Sequence, residues 1–539
     1  MLPEFGVARA PTPPSESAGR APLTQLGATC LQWHGTLAAS PPRSESCGWK
    51  IALYLRMEDG LLGSLQDAGG ANDADAPTDD QPGKASTPPW ARWWVLALYG
   101  VLSSTQSLLW ITYSSVPASS ESFFSTTQDT LGLWLNYGPI AFCVTCIPSL
   151  WLLHRSRAGL QLSIRLGLTL CTLASLLRLI PAWLPASQRG APLALAVTHV
   201  AQFLNGAVAP LAVASPAYLS LVWFPDSERN LATALANTAN ALGRAIGFFL
   251  GPLLVSSAGD LPTLLYVTVL AAALPCAAAW AYLPDVPSRP PSAATAKEAL
   301  RWAEAPGAAG GSSGDSAAAL VQLGLRGALT QARAACGSPA FLLTAASGGA
   351  VMAFFGAWSG VLTAALTPPH GALSDGQAGL LGALVTFAGI AGGTAAGWAT
   401  DRPPLRRSLR GVLGALALSS AALFLPLALA LRAGGGPAWL TYPVVTALCT
   451  LGGALRGGMD PLYFELAAET AWEAGGGADV AGTFLTLIYH LLLCFVLSVP
   501  GAQLLPIVLP GMPVCLVAGA LLLLPVRVAY TRRASGVTG

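Results

Sequence analysis

Apolar residues are gathered into twelve stretches along the chain, separated by polar connections of which one is long. Each stretch is close to or longer than the ~20 residues that an α-helix needs to cross a bilayer. The pattern therefore predicts twelve membrane-spanning helices, six on each side of the long connection. The stretches are 93–115, 131–153, 162–183, 193–222, 230–256, 263–283, 340–366, 377–400, 409–431, 438–468, 480–503 and 508–530.

The composition points to the same class of protein. Of the 539 residues, 53% are hydrophobic and only 10% are charged, and the mean hydropathy is +0.56. Soluble domains carry about 25% charged residues, so an all-α integral membrane protein is indicated. The net charge is only +2, and the basic residues lie in the connections between the stretches rather than in one patch that could bind nucleic acid.

The polar segments divide the chain into five predicted regions. Residues 1–92 are rich in Pro, Ser, Gly and Ala without a helical period, which predicts a disordered cytosolic N-terminal tail. Residues 93–283 and 340–530 are predicted to be six-helix halves, 284–339 a cytosolic linker and 531–539 a cytosolic tail. The run Met57-Glu58-Asp59-Gly60 is typical of a natural start, which leaves open whether residues 1–56 belong to the mature protein.

Groups of basic residues predict the orientation in the membrane. They follow even-numbered stretches, whereas Arg189 and Arg432 are exceptions on the other side. Because connections rich in Arg and Lys stay in the cytosol, both termini are predicted to be cytosolic. The basic residues on the predicted cytosolic side are Arg155, Arg157, Arg229, Arg402, Arg406, Arg407, Arg410, Arg527, Arg532 and Arg533.

The tenth stretch contains ionisable residues inside a predicted membrane span. Each such charge costs roughly 2.5–3.5 kcal/mol on insertion, so it normally faces a bundle interior or a watery cavity. Arg456 and Asp460 are four residues apart and are expected to form an ion pair on one helix face. Gly457, Gly458 and Pro461 are expected to weaken the helix there. Two interpretations of this stretch remain open: a structural ion pair at a kink, and a functional site.

Three further ionisable residues lie within apolar stretches. Arg178, near the end of the third stretch, is expected to extend its charge to the membrane interface. Arg244 lies deeper in its stretch and needs a partner, for which Asp460 and Glu465 are candidates. His490 is of the residue type that titrates near neutral pH, but a hydrogen-bonded packing role is the more ordinary interpretation.

The sequence contains no nucleophile elbow, phosphate loop or metal-ligand spacing. Cys143 and Cys146 have the spacing of a redox or metal motif, but they lie in an apolar stretch and are expected to be packing groups. We therefore expect no enzyme activity, no cofactor and no metal.

Several runs of residues resemble those of one transporter family. The run Gly397-Trp398-Ala399-Thr400-Asp401-Arg402 resembles the loop signature of the major facilitator superfamily, although the matching place in the first half lacks the Gly and the Asp. More specific runs resemble the feline leukaemia virus subgroup C receptor-related family, solute carrier family 49, over about residues 90–530. These runs are 109–114, 222–233, 358–362 and 461–470, and the run 358–362 with 177–181 is most similar to the disrupted in renal carcinoma 2 branch.

The resemblance implies a secondary transporter with two six-helix halves, working by alternating access. It implies a small-molecule substrate, with a pyridoxine-like vitamin favoured and choline, ethanolamine or haem as alternatives, and protons as a candidate coupling ion. In choline-carrying members a Gln follows an Asn in the fifth helix, whereas the matching run here is Asn240-Ala241-Leu242-Gly243. A non-transporting membrane receptor or scaffold with the same fold is the second alternative.

The resemblance and the polar stretches together give a set of candidate site residues. Aromatic walls suit a flat ring or an ammonium group, and in the resembled fold the first and seventh helices line the central cavity. The substrate-binding candidates are Trp110, Tyr113, Phe355, Trp358, Tyr463 and Glu465. The candidates for coupling or ion pairing are Arg456, Asp460 and Glu465, of which Glu465 is expected to carry the coupling proton.

The location in the cell is predicted from two features. The disrupted in renal carcinoma 2 branch is lysosomal, and Leu61-Leu62 after Glu58-Asp59 is similar to an acidic dileucine sorting signal. A lysosomal membrane is therefore favoured, with the plasma membrane as the alternative. In either membrane, the lipid bilayer is expected to surround the twelve stretches.

Overall fold

The structure, a computed structural model, describes residues 88–530 except 155–157, 214, 289, 292–329, 369–372, 401, 403–404, 433–440 and 476–477. Most of the predicted N-terminal tail with Leu61 and Leu62, most of the linker, Asp401 and the tail 531–539 lie outside the described residues. The described helices are α1 (Ala91–Ile111), α2 (Pro117–Phe124), α3 (Gln128–His154), α4 (Gly159–Trp183), α5 (Pro192–Ala207), α6 (Ala209–Val213), α7 (Pro216–Trp223), α8 (Asp226–Leu254), α9 (Leu261–Ala281), α10 (Pro339–Leu366), α11 (Asp375–Thr400), α12 (Leu409–Arg432), α13 (Tyr442–Gly457), α14 (Met459–Glu473), α15 (Ala478–Leu497) and α16 (Gly501–Leu523).

These helices account for all twelve predicted stretches. Within the described ranges, nine helical segments are long and apolar enough to cross a membrane. The other three stretches correspond to α8, to α13 with α14, and to α15. In α8 and in α13 with α14, polar or charged residues lower the hydropathy, and of these Arg456 and Glu469 are buried within the bundle.

Two predicted stretches are interrupted in the structure. The stretch 193–222 is divided into α5, α6 and α7, because Pro210 and Pro216 have no N–H to donate to the preceding turn. The stretch 438–468 is divided into α13 and α14 at Gly458, which confirms the predicted weakening around Gly457 and Gly458. Glycine at these positions also permits close packing, since a β-carbon on Gly457 would collide with the backbone of Gly389 in α11.

Short connections make successive spans alternate in direction. We call the end that holds Ala91 and Leu523 the terminal end, and the end where α3 begins at Gln128 the opposite end. Within the first half, α1 packs on α8, and α4 packs on α9 and α5. Within the second half, α10 packs on α15 and α16, and α12 packs on α16 and α13.

The two halves contact each other through α8 with α11 and through α3 with α15. Phe248 and Pro252 of α8 lie against Gly379 and Gly382 of α11. Leu135 of α3 lies against α10. These contacts lie toward the opposite end, where they hold the two halves together. A core cluster that is otherwise made of second-half residues also contains Ile111, Leu135 and Phe248 of the first half.

Candidate functional site

An ion pair spans the break between α13 and α14. Arg456 lies in the last turn of α13 and donates a hydrogen bond to Asp460 in the first turn of α14, which confirms the predicted pair. Arg456 is buried, whereas the side chain of Asp460 is 41% exposed. The Nε of Arg456 and the Oδ1 of Asp460 are both buried without a hydrogen-bond partner. Each residue therefore keeps one polar atom that can bond to a ligand.

Aromatic rings from α10 cover this ion pair. The guanidinium carbon of Arg456 lies 4.4 Å from the centre of the Phe355 ring, within cation–π range. Phe355 stacks on Trp358 with ring centroids 5.6 Å apart and planes 23° apart. Trp358 in turn packs edge-on against Phe424 of α12, with centroids 5.1 Å apart. Two of the predicted aromatic candidates, Phe355 and Trp358, are thus brought together beside Arg456.

A second cation approaches the ion pair from the first half. Arg244 of α8 interacts electrostatically with Asp460, with Arg456 and with Tyr489 of α15. Asp460 is thereby one of the two partners that the sequence suggested for Arg244. We name Arg244, Arg456, Asp460 and Tyr489 the central charged group. It contains two guanidinium groups and one carboxylate, with Arg244 from the first half and the other two from the second.

Tyr463 is held by a hydrogen-bonded chain. Its hydroxyl lies 2.8 Å from the hydroxyl of Ser347 in α10, and Ser347 Oγ lies 2.9 Å from the carbonyl oxygen of Gly519 in α16. Tyr463 is fully buried. The contact joins α10, α14 and α16, and the Tyr463 hydroxyl is therefore already engaged within the second half.

Three carboxylates follow Asp460 on α14, of which Glu465 and Glu469 are buried or half-buried and Glu473 is exposed. Glu465 is half-buried, whereas Glu469, one turn later, is fully buried. Glu465 is five residues after Asp460, which places the two side chains on different sides of α14. Glu465 therefore does not share the face of α14 that Asp460 presents to Arg456. Glu469 was not among the site residues predicted from the sequence, although it lies directly after the tenth apolar stretch and within the run 461–470 that resembles the transporter family.

The two aromatic candidates Trp110, in α1, and Tyr113, in the turn after α1, lie in different surroundings. The indole N–H of Trp110 donates to the carbonyl oxygen of Leu135 at 2.8 Å, and the ring packs on the core cluster shared by the two halves. Tyr113 is buried among first-half residues, with its ring against Phe124 and Trp134 at 5.5 and 4.9 Å between centroids. Trp110 is thus close to the interface between the halves, whereas Tyr113 belongs to a separate cluster.

The prediction that Arg178 extends its charge to the interface is wrong. Arg178 is 0% exposed and donates to the side-chain oxygen of Gln202. Its guanidinium carbon lies 5.4 Å from the ring centre of Tyr113. Gln202 of α5 and the rings of Tyr113 and Trp134 surround the side chain, so it does not extend to the end of the bundle.

A ring stack joins the halves near the middle of the bundle. The rings of Phe142 in α3 and His490 in α15 lie parallel with centroids 3.6 Å apart, and His490 Nδ1 lies 2.8 Å from the carbonyl oxygen of Thr486. Nearer the opposite end, Asn136 donates to the carbonyl oxygen of Cys494 at 3.2 Å. His490 is thus hydrogen-bonded and packed, as the sequence favoured, but Phe142 as its partner was not foreseen.

The arrangement combines three properties at the junction of the halves. It has a flat aromatic surface, fixed charges of both signs and polar atoms without partners. Interior ionisable residues at such a junction are typical of solute pathways in membrane proteins. Among the described residues, no group of three His, Cys, Asp or Glu side chains has the arrangement of a metal site.

The model of the Major Facilitator Superfamily matches residues 191–490, more than half of the chain. The chain belongs to this superfamily and is a multi-pass membrane transporter. A crystal structure of a D-xylose-proton symporter has a TM-score of 0.57 and 13% identity, and the match covers 82% of this chain and 98% of the symporter. The predicted all-α fold with two six-helix halves is confirmed as the major facilitator fold.

The resemblance to solute carrier family 49 is confirmed as well. A Xenopus tropicalis protein described as a solute carrier family 49 member 4 homolog is 28% identical over 432 residues, which cover 74% of this chain and 83% of the relative. A choline/ethanolamine transporter of Mus musculus is 30% identical over 186 residues, which cover 34% of this chain and 31% of the relative.

Proposed function

We propose that this chain is a secondary transporter that moves a small, ring-containing organic solute by alternating access of its two halves. A pyridoxine-like vitamin is the first substrate to test. The observation that carries the proposal is the position of the central charged group, to which Arg244 contributes from the first half and Arg456 and Asp460 from the second. A solute bound there contacts both halves, which is the requirement for coupling its binding to their movement.

The chemistry of the site favours some substrates over others. The stacked rings of Phe355 and Trp358 suit a flat heteroaromatic ring, and the unpartnered atoms of Arg456 and Asp460 can bond to ring hydroxyls. A quaternary ammonium such as choline finds aromatic rings here, but it would also meet two guanidinium groups of like charge. The positive balance therefore favours a pyridoxine-like solute over choline or ethanolamine.

The test is uptake into proteoliposomes. Purified protein is reconstituted, and uptake of labelled pyridoxine, choline, ethanolamine and haem is measured with and without a pH gradient. We expect saturable pyridoxine uptake that Arg244→Gln weakens by raising KM at least severalfold. Arg165→Gln is the matched control, because the guanidinium of Arg165 donates to the carbonyl oxygens of Ala279 and Leu283 within the first half.

The same experiment separates a transporter from a membrane receptor or scaffold. A scaffold needs Arg456, Asp460 and Glu465 only for structural pairing. Uptake that stays intact when each is replaced in turn by a neutral isostere, at normal expression, would refute the functional role of this stretch. Absence of uptake for every solute in the panel would favour the scaffold.

We also propose that the terminal end faces the cytosol, following the distribution of basic residues. Cysteine labelling from either side of sealed vesicles, at a residue placed in the connection after α1, tests it. Labelling of this cysteine from the cytosolic side would show that the orientation is the reverse of the one proposed.

A lysosomal location is proposed from the resemblance and from Leu61-Leu62. Replacing both leucines with Ala should move a tagged protein to the plasma membrane. An unchanged lysosomal distribution would show that another signal directs the protein there. A plasma-membrane distribution of the unaltered chain would refute the proposal.

A further inference from the structure

The most deeply buried cation of the described chain lies away from the central charged group. Arg178 is 0% exposed, and of its five N–H groups the structure pairs one, with Gln202. Its Nε and Nη1 are buried without a hydrogen-bond partner. A guanidinium in this situation has lost its hydration shell without full replacement.

Two further donors around Arg178 are unsatisfied. The Tyr113 hydroxyl and the Trp134 indole N–H are both buried without a partner. The two rings lie 4.9 Å apart between centroids, and the guanidinium carbon of Arg178 lies 5.4 Å from the Tyr113 ring centre. Gln202 ties the group together, because its Nε2 also lies 3.5 Å from the carbonyl oxygen of Trp134. We name Arg178, Tyr113, Trp134 and Gln202 the Arg178 cluster.

The described part of the chain supplies no negative charge to this cluster. The ion pairs of the described residues, Arg92 with Glu228 and Arg456 with Asp460, lie elsewhere. The protein groups that interact electrostatically with Arg178 are Tyr113 and Cys171. A phenol and a thiol are mainly neutral at pH 7. An isolated buried charge costs several kcal/mol, so a compensating charge is expected at such a place.

We propose that the Arg178 cluster binds a small monovalent anion of the size of chloride. The missing interactions have one chemistry: Arg178 Nε and Nη1 and Trp134 Nε1 are donors, and the Tyr113 hydroxyl can donate. The missing partner is therefore a negatively charged acceptor. A small anion accepts from several directions at once, which suits donors on different segments: Tyr113 in the turn after α1, Trp134 in α3 and Arg178 in α4. The bound anion neutralises Arg178 and holds the turn after α1 together with α3, α4 and α5 within the first half.

The test measures thermal unfolding of the purified full-length protein against chloride concentration. Gluconate, an anion too large for an enclosed site, replaces chloride so that the ionic strength stays constant. An anion that binds only the folded state raises Tm with concentration until the site is saturated. We expect a saturable rise of a few degrees for the unaltered protein and none for Arg178→Gln, which removes the charge at similar size.

Two conservative variants test the anion site even if Arg178→Gln does not fold. Tyr113→Phe and Trp134→Phe each remove one donor at nearly constant volume. Each should shift the chloride midpoint upward by about tenfold, as expected for loss of one hydrogen bond to a charged group. Arg165→Gln should leave the midpoint unchanged. A Tm that does not depend on chloride in the unaltered protein, or unchanged midpoints in both conservative variants, would overturn the proposal.

Discussion

The guanidinium carbon of Arg456 lies 4.4 Å from the centre of the Phe355 ring, so a charged residue of α13 and an aromatic residue of α10 form one surface. Asp460 holds the other side of the guanidinium. Because Arg456 is buried and cannot reach water, its charge is balanced mainly by Asp460. We therefore expect the ion pair to have a structural role, whatever its role in binding.

The first prediction concerns the stability of this pair. Asp460→Asn should destabilise the protein by roughly 1–3 kcal/mol, less than the 3–5 kcal/mol for a fully buried pair because Asp460 is partly exposed. The double variant Arg456→Gln with Asp460→Asn should recover much of the lost stability, because it no longer leaves a charge unpaired. Folded yield in detergent and thermal unfolding measure both effects.

Glu228→Gln is the control for this prediction. Arg92 and Glu228 form an ion pair at 3.2 Å, with side chains 32% and 34% exposed. Such a pair contributes at most about 1 kcal/mol. If Asp460→Asn costs no more than Glu228→Gln, the Arg456–Asp460 pair is not structural.

The second prediction concerns proton coupling. Glu465→Gln should abolish accumulation driven by a pH gradient but spare exchange of solute without a gradient. The physical reason is that coupling requires a group that carries a proton between the two sides, and a half-buried carboxyl remains accessible for this. Glu469→Gln is the matched comparison, since Glu469 is fully buried one turn later. Uptake with an imposed gradient, and counterflow without one, separate the two activities.

The outcomes identify the coupling residue. Loss of gradient-driven accumulation in Glu469→Gln alone would transfer the role from Glu465 to Glu469. Accumulation that survives in both variants would leave uniport driven by the solute gradient as the better mechanism.

Much of the fold was predictable because bilayer crossing imposes a strong pattern on the sequence. The twelve apolar stretches correspond to helices, and the pairing of Arg456 with Asp460 follows from their four-residue spacing. Both results depend on local sequence alone, where helix geometry determines which residues meet.

Contacts between distant helices were harder to predict. The sequence placed Arg178 at the interface because it lies near the end of its stretch, but the rings of Tyr113 and Trp134 enclose it. Likewise Tyr113 and Trp110 are close in sequence, yet they face different clusters. Which face of each helix meets which neighbour is decided by packing across the whole bundle, and hydrophobic periodicity is weak when nearly every residue is apolar.

The third prediction concerns Tyr463. Because its hydroxyl bonds to Ser347, Tyr463→Phe should cost about 1 kcal/mol of stability. Ser347→Ala should cost a similar amount, and the double variant should cost less than the sum, since both changes remove the same hydrogen bond. Thermal unfolding of the four proteins measures the interaction. Unaltered stability with a raised KM for uptake would instead support Tyr463 as a substrate-binding residue.

The last prediction concerns closure of the opposite end. A β-carbon on Gly379 would lie 2.6 Å from the carbonyl oxygen of Phe248 and would also collide with the Pro252 ring. Gly379→Ala should therefore force α11 and α8 apart and disfavour the closed arrangement of the two halves. Since alternating access requires each end to close in turn, transport should fall at least tenfold while the protein still folds. Gly376→Ala, in the same helix, is the matched control, because the nearest atom to its β-carbon would be Ser374 Oγ at 3.9 Å. Uptake measures transport, and the labelling rate of a cysteine introduced at Leu135 measures closure of the opposite end. A Gly379→Ala variant with normal uptake and an unchanged labelling rate would show that the α8–α11 contact does not control closure.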